Sequence, residues 1–170
     1  MQTVKKELFE KFVYSHKDKI YGYIFRMCGN RESADDLFQE TLFKIWNNFP
    51  AKPETAKLRS WCFTIAHNTI VDHLKSKKAT TEYDETFAQR NTNSGNPAEV
   101  LIGLETSENI EKIVKKLPPK QKRALILRVN GGLKYREIAE VMQEPLNSVL
   151  SHINYALKKI RKELEEINAA

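Results

Sequence analysis

The sequence predicts an all-α fold of two small helical domains joined by a flexible linker, with a helix-turn-helix in the second domain. Apolar residues make up 41% of the 170 residues, which is enough to build packed cores. They recur every three or four positions, as on one face of a helix, and alternating runs typical of strands are few. Prolines and glycines separate the periodic stretches, where such residues end helices.

Three helices are predicted in the first domain. The first covers residues 4–28 and is followed by a Gly-Asn pair, which commonly ends a helix. The second covers residues 31–49, where apolar side chains fall at intervals of three, one, three and one. Two prolines then form a loop at residues 50–56, and a third helix with a similar apolar stripe covers residues 57–78.

A polar stretch, residues 79–95, separates the two predicted domains. It is rich in Thr and Asn and locally acidic, which is typical of a flexible linker. An Asn-Pro pair then introduces a helix that ends near residue 117, and another helix covers residues 119–130. The sequence therefore predicts domains of residues 1–78 and 96–170.

The last two predicted helices form the helix-turn-helix. Residues 135–142 make a short amphipathic helix, Pro145 breaks the pattern, and a longer helix begins at Leu146. In such a motif the second helix enters the major groove of DNA. The alternative is a pair of ordinary packed helices with a solvated face. The polar and basic positions on the outer face of the second helix are Ser148, Ser151, His152, Tyr155, Lys158, Lys159 and Lys162.

The charge balance favours a polyanionic partner. The net charge is +6, so nucleic acid is the first candidate and an anionic membrane surface the second. No apolar run approaches the ~20 residues that a membrane span needs, and the first residues lack the apolar core of a signal peptide. We therefore expect a cytoplasmic protein without membrane insertion.

No motif indicates metal, cofactor or catalytic chemistry. The two cysteines, Cys28 and Cys62, form no CxxC pair and no cluster with histidines, so we predict reduced thiols and no metal site. The sequence contains no Gly-rich phosphate loop and no nucleophile motif. We accordingly expect no cofactor and no enzymatic activity.

The second helix carries a polar face with one large apolar residue in it. Asp36, Gln39, Glu40 and Phe43 follow one another at i, i+3, i+4 and i+7, so they share one side of the helix. Acidic faces are usually only solvated. An exposed phenylalanine within one is less usual and favours a docking surface.

Several stretches, in this order, resemble an extracytoplasmic-function sigma factor of bacterial RNA polymerase. Residues 34–46 and 58–72 are similar to regions 2.2 and 2.3–2.4 of that family, and residues 117–123 and 135–140, with the helix after them, resemble region 4. The resemblance covers nearly all of the chain except the linker. It implies a two-domain subunit that gives RNA polymerase its promoter specificity.

The resemblance also implies a role for each face. Asp36, Gln39, Glu40 and Phe43 match the motif that docks on the clamp helices of the polymerase β′ subunit, and region 4 meets the β flap. The loop at residues 50–57 matches the one that captures a base flipped from the minus-ten element. Contacts to minus-ten DNA are implied for Lys52, Arg59, His67, Asn68, Lys75, Lys77 and Lys78.

The helix-turn-helix matches the family's minus-35 reader, but it departs from the usual pattern. Leu150, His152 and Tyr155 stand where the family usually has cations. Because Arg and Lys make the common contacts to guanine, we expect an AT-rich minus-35 element or a weaker use of that element. The minus-35 contacts are assigned to Tyr135, Arg136, Ser148, Leu150, Ser151, His152, Tyr155, Lys158 and Lys159.

The partners expected from this resemblance are core RNA polymerase, promoter DNA and an anti-sigma protein, with a free chain that is monomeric. Two alternatives stay open. A stand-alone helix-turn-helix regulator would leave the first 78 residues without a role. A sigma-like decoy would bind an anti-sigma protein and no DNA, which the net charge and the intact face around Phe43 oppose.

Overall fold

A computed structural model of the chain describes residues 2–80 and 102–169, with side chains for residues 2–77 and 107–169. Within these residues the chain forms seven helices and no strand, which confirms the all-α prediction. The predicted linker lies outside the described residues except for its first two positions, which continue the third helix. The helices are α1 (Gln2–Cys28), α2 (Arg31–Asn48), α3 (Thr55–Thr80), α4 (Ile102–Lys116), α5 (Pro119–Val129), α6 (Tyr135–Met142) and α7 (Leu146–Ala169).

Helices α1, α2 and α3 pack against one another around the predicted apolar stripes. Gly29, with a φ of 82°, ends α1 in the left-handed conformation that glycine adopts easily. The Asn30 side chain then accepts a hydrogen bond of 2.8 Å from the backbone N–H of Ser33 and so caps the start of α2. This tight corner makes α1 and α2 neighbours in the fold.

An aromatic cluster fixes the end of α2 from which the next loop departs. The Phe9 ring meets Trp46 edge-on at 5.0 Å and Phe49 at 5.6 Å, and Phe49 in turn meets Trp61 of α3 at 6.4 Å. Edge-to-face pairs of this kind add stability beyond the area that they bury. Both ends of the loop at residues 50–54 are therefore anchored to the N-terminal core.

The helix-turn-helix has the predicted bounds, with α6 and α7 joined by a three-residue turn. Gln143 ends α6 with a φ of 54°, and the Glu144 N–H donates to the Ala139 carbonyl at 3.1 Å. The Pro145 carbonyl then accepts the first hydrogen bond of α7 from Ser148 at 3.0 Å. The buried apolar residues on the facing sides of the two helices are Ile138, Val141, Val149 and Ile153.

The two halves of the chain share one hydrophobic core, because α3 packs on α6 and α1 contacts α5. Phe63 of α3 is fully buried and lies close to the chain before α6. A Cβ added at Gly131 would lie 3.4 Å from the Phe63 ring and only 2.6 Å from the Leu127 carbonyl oxygen. Glycine at this position thus permits the close approach of the two halves.

Candidate protein and nucleic-acid interfaces

The outer face of α2 is open, as predicted. Asp36, Gln39, Glu40 and Phe43 are all exposed along this side, and 65% of the Phe43 side chain remains accessible. The Lys44 ammonium lies 3.0 Å from a Glu40 carboxylate oxygen and also donates to the Thr69 hydroxyl at 3.2 Å. The face is therefore an acidic surface with an exposed aromatic side chain, a combination suited to a basic partner with an apolar pocket.

The predicted minus-ten residues lie along α3 and the loop before it. Lys52, Asn68, Lys75 and Lys77 are exposed there, and the side chain of Lys78 lies outside the described residues. Asn68 and Lys75, seven positions apart, share one side of α3, whereas Lys77 lies on a different side of the same helix.

Arg59, the first predicted minus-ten residue on α3, is engaged by the helix-turn-helix. Its guanidinium donates to a Glu137 carboxylate oxygen of α6 at 2.9 Å, and the two side chains are 29% and 16% exposed. The same oxygen accepts the backbone N–H of Lys134 at 2.9 Å and so caps α6. Glu137 was not among the residues singled out in the sequence, because its partner is 78 positions away.

The resemblance implies that His67 meets minus-ten DNA, which requires an exposed side chain, but the structure buries this residue. The residue is only 7% exposed, and its Nδ1 lies 3.0 Å from the Tyr23 hydroxyl. Burial, with the positive charge of Arg123 nearby, lowers the pKa of His67 to about 4. The packing of α6 and α1 against α3 explains the burial, and a role toward DNA stays a prediction.

A groove of about 390 Å³ lies between α3 and the turn of the helix-turn-helix. In this arrangement part of the predicted minus-ten face therefore looks toward the predicted minus-35 reader. The lining residues from the N-terminal half are His67, Asn68, Val71, Asp72 and Lys75, and those from the C-terminal half are Val141, Met142 and Gln143.

The outer face of α7 is open over most of its length. Ser151, Tyr155 and Lys158 are exposed, whereas Ser148, Leu150, His152 and Lys159 are half-buried. On α6, Arg136 is exposed, and the Tyr135 ring lies under the Arg128 guanidinium at 4.5 Å. Beside α7, a second groove of about 530 Å³ is lined by Tyr155 and by a row of lysines that includes Lys158 and Lys159.

A three-residue polar cluster stands at the start of α7. The His152 Nε2 lies 2.8 Å from one Glu144 oxygen, and the Lys120 ammonium lies 2.9 Å from the other. Burial opposes ionisation of Glu144, but the hydrogen bonds from Lys120 and His152 outweigh it and lower the pKa of this carboxyl. Neither Glu144 nor Lys120 was singled out in the sequence, since the turn between them and His152 breaks any regular spacing.

The described residues contain neither a metal-ligand cluster nor a membrane-spanning helix. In residues 2–77 and 107–169, no three His, Cys, Asp or Glu side chains are grouped as metal ligands would be. None of the described helices is long and apolar enough to cross a membrane. Cys28 and Cys62 are free thiols, and burial raises the pKa of Cys28 to about 11.

The fold is similar to that of the sigma factor RpoE from Bartonella quintana, solved in complex with the anti-sigma factor NepR. That structure superposes with a TM-score of 0.76 over 92% of this chain and 96% of the other, at 21% sequence identity. At this identity the likeness concerns the fold alone.

Sequence comparisons identify the family. The model for Sigma-70 region 2 matches residues 12–80, and the model for Sigma-70, region 4 matches residues 107–160. From Bacillus subtilis, the ECF RNA polymerase sigma factor SigW is 28% identical over 98% of this chain and 96% of its own length. The RNA polymerase sigma factor YlaC of the same organism is 29% identical over 95% and 92%. The chain therefore belongs to the sigma-70 family of RNA polymerase sigma factors, in its extracytoplasmic-function (ECF) group.

Proposed function

We propose that this sigma factor docks on core RNA polymerase through the outer face of α2 and that α3 and α7 read the minus-ten and minus-35 promoter elements. The observation that carries the proposal is the face of α2, where Phe43 stands exposed among Asp36, Gln39 and Glu40. A stand-alone DNA-binding protein has no use for such a face next to a DNA-reading helix.

Both the aromatic and the acidic side chains of this face contribute to docking on the polymerase. Phe43 loses its exposed area in an apolar pocket of the β′ clamp helices, and aromatic anchors of this kind dominate binding energy. Asp36 and Glu40 face the basic residues of the partner, which speeds association and sets the register. The β flap is the second contact of the polymerase, on the C-terminal half.

Promoter opening requires that a base leave the duplex, which costs a few kcal/mol of stacking and pairing. The loop at residues 50–57, anchored by the aromatic cluster at its start, is proposed to capture that base. Lys52 on the loop and Lys75 and Lys77 on α3 are proposed to bind the backbone phosphates nearby, and Asn68 to meet a base edge. Capture and backbone contacts together offset the cost of flipping.

Separation of the two halves precedes use of the whole minus-ten face. Arg59 is paired with Glu137, and α6 borders the groove in front of Asn68 and Lys75. Polymerase binding is proposed to supply the free energy for this separation, since the face of α2 is open in the packed arrangement.

The chain is proposed to act in the cytoplasm without a reaction or cofactor of its own, and an anti-sigma protein is proposed to hold it inactive. Support for such a partner comes from the fold likeness to RpoE, which was solved together with an anti-sigma factor. The surfaces that such a partner would have to cover are the face of α2 and the two DNA-reading helices.

Run-off transcription with core polymerase and genomic fragments tests the function. Wild-type protein should give specific transcripts, and Phe43→Ala should weaken core binding by about 30-fold or more, as loss of an aromatic hot spot does. Tyr14→Ala is the matched control, because Tyr14 is 78% exposed on α1 and outside the proposed face. DNA binding without any effect on core polymerase would establish a stand-alone regulator instead.

A further inference from the structure

The polar cluster at the start of α7 is built around a residue that the family resemblance gives no role. Glu144 lies in the turn of the helix-turn-helix, and its side chain is only 16% exposed. Its two oxygens are both used, one by His152 of α7 and one by Lys120 of α5. His152 shares the outer face of α7 with Ser148 and Tyr155, so the cluster borders the surface proposed to meet the minus-35 element.

The chemistry of Glu144 dictates how the His152 ring is protonated. The hydrogen bonds from Lys120 and His152 keep the pKa of the Glu144 carboxyl low, so the group is an ionised carboxylate that only accepts hydrogen bonds. The His152 Nε2 at 2.8 Å must therefore be the nitrogen that carries hydrogen and donates. In a neutral imidazole the other nitrogen, Nδ1, is then an acceptor and is the only ring nitrogen left for DNA.

We propose that Glu144 is a positioning residue that sets the base preference of His152, by fixing the ring so that Nδ1 accepts a hydrogen bond from DNA. In the major groove, adenine and cytosine present an amine donor, whereas guanine presents two acceptors, N7 and O6. The contacted position should therefore favour adenine or cytosine over guanine. The inference rests on the proposed function of α7 as the minus-35 reader.

A merely structural role of Glu144 makes a different prediction. The Lys120 ion pair alone would tie α5 to the turn, and its loss would change stability without changing which base is preferred. The carboxylate also repels DNA phosphates, so its neutralisation should raise affinity for every sequence. Looser base preference is thus the signature of the positioning role, whereas tighter binding to all DNA reports only the loss of the negative charge.

The experiment is promoter selection by the reconstituted holoenzyme at pH 8. Every promoter in the library has the same minus-ten element, taken from a mapped promoter, and a randomised minus-35 element. Wild-type protein should prefer adenine or cytosine over guanine by about tenfold at one position, in the range of one good base contact. His152→Ala should reduce that preference to about twofold or less. Glu144→Gln should do the same while increasing binding to all library members.

Lys120→Met is the matched control, because it removes the other partner of Glu144 and leaves the His152 contact in place. It should retain the base preference. A circular dichroism spectrum and a melting temperature equal to those of the wild type show that each variant is folded. A wild-type preference in Glu144→Gln, a guanine preference at the position, or no position sensitive to His152→Ala would each overturn the inference. Failure of the wild-type holoenzyme to select or transcribe any promoter would instead overturn the proposed function.

Discussion

The two surfaces proposed to read promoter DNA differ in how far the rest of the molecule covers them. On α3, Arg59 is paired with Glu137 of the other half and His67 is buried. On α7, Tyr155 is 60% exposed, and Lys158 is exposed and forms no ion pair with any described residue. Contacts between the halves, and not the character of each helix, thus decide which DNA-reading residues are available.

The packing between the two halves includes an unfavourable burial of charge, which makes the halves easier to separate. Half-buried Lys122 and Arg123 of α5 face the N-terminal half, and neither has a carboxylate within ion-pair distance among the described residues. Burial lowers the pKa of Lys122, and the Arg123 Nε is buried without a hydrogen-bond partner in the described part of the chain. Cations buried without partners oppose association, so the shared core is offset in part by charge.

The largest expected effect is a loss of folding stability in acid. The pKa of His67 is about 4 in the folded chain, below its ordinary value of 6.5, so the unfolded chain binds this proton first. The stability from neutral His67 is complete above pH 6.5 and is lost as the pH falls toward 4. Urea unfolding across this range should show a loss of up to about 3 kcal/mol in the free energy of unfolding.

Two variants test whether protonation of His67 causes that loss of stability. His67→Gln should remove most of the pH dependence between 6.5 and 4, because a glutamine does not take up the proton. His16→Gln is the matched control, because it also removes one histidine, and His16 stacks on Phe12 of its own helix. Equal pH dependence in the wild type and His67→Gln would show that another group governs acid sensitivity.

A smaller effect is expected when the ion pair between the halves is broken. Glu137→Gln removes the charge opposite Arg59 but keeps a side-chain oxygen for the cap on the Lys134 N–H. The free chain should then bind the single-stranded non-template strand of a mapped promoter about tenfold more tightly, as expected for release of a charged hydrogen bond. Fluorescence anisotropy measures the change.

The control for this variant is Glu10→Gln. Glu10 pairs with Lys6 on α1 at 3.9 Å, but both side chains are more than 60% exposed, and pairs of this kind contribute little. Its affinity for the same strand should stay at the wild-type value. If both variants bind alike, the pair between Arg59 and Glu137 does not limit access to α3.

Local patterns predicted the elements well, because helix periodicity, caps and prolines act over a few residues. The bounds of α6 and the start of α7 at Leu146 match the prediction. The spacing of the polar residues around Phe43 also predicted the exposed face of α2. The burial of His67 and the pairing of Arg59 were not predicted. Both depend on α6 packing against α3, and no spacing within either helix encodes a contact between residues so far apart in the chain.

The smallest expected effect concerns the open surface on α7. Tyr155 stands where the family usually has a cation, so the wild-type chain should neutralise fewer phosphates than a fully basic relative. Tyr155→Arg should steepen the dependence of log affinity on log salt concentration by about 0.9, the value for one added phosphate contact. Leu157→Arg is the matched control, because Leu157 is 46% exposed on α7 but two residues on, away from the row of Tyr155 and Lys158. A slope changed equally by both variants would mean that any added charge acts at long range, and that the open face of α7 holds no defined path for the DNA backbone.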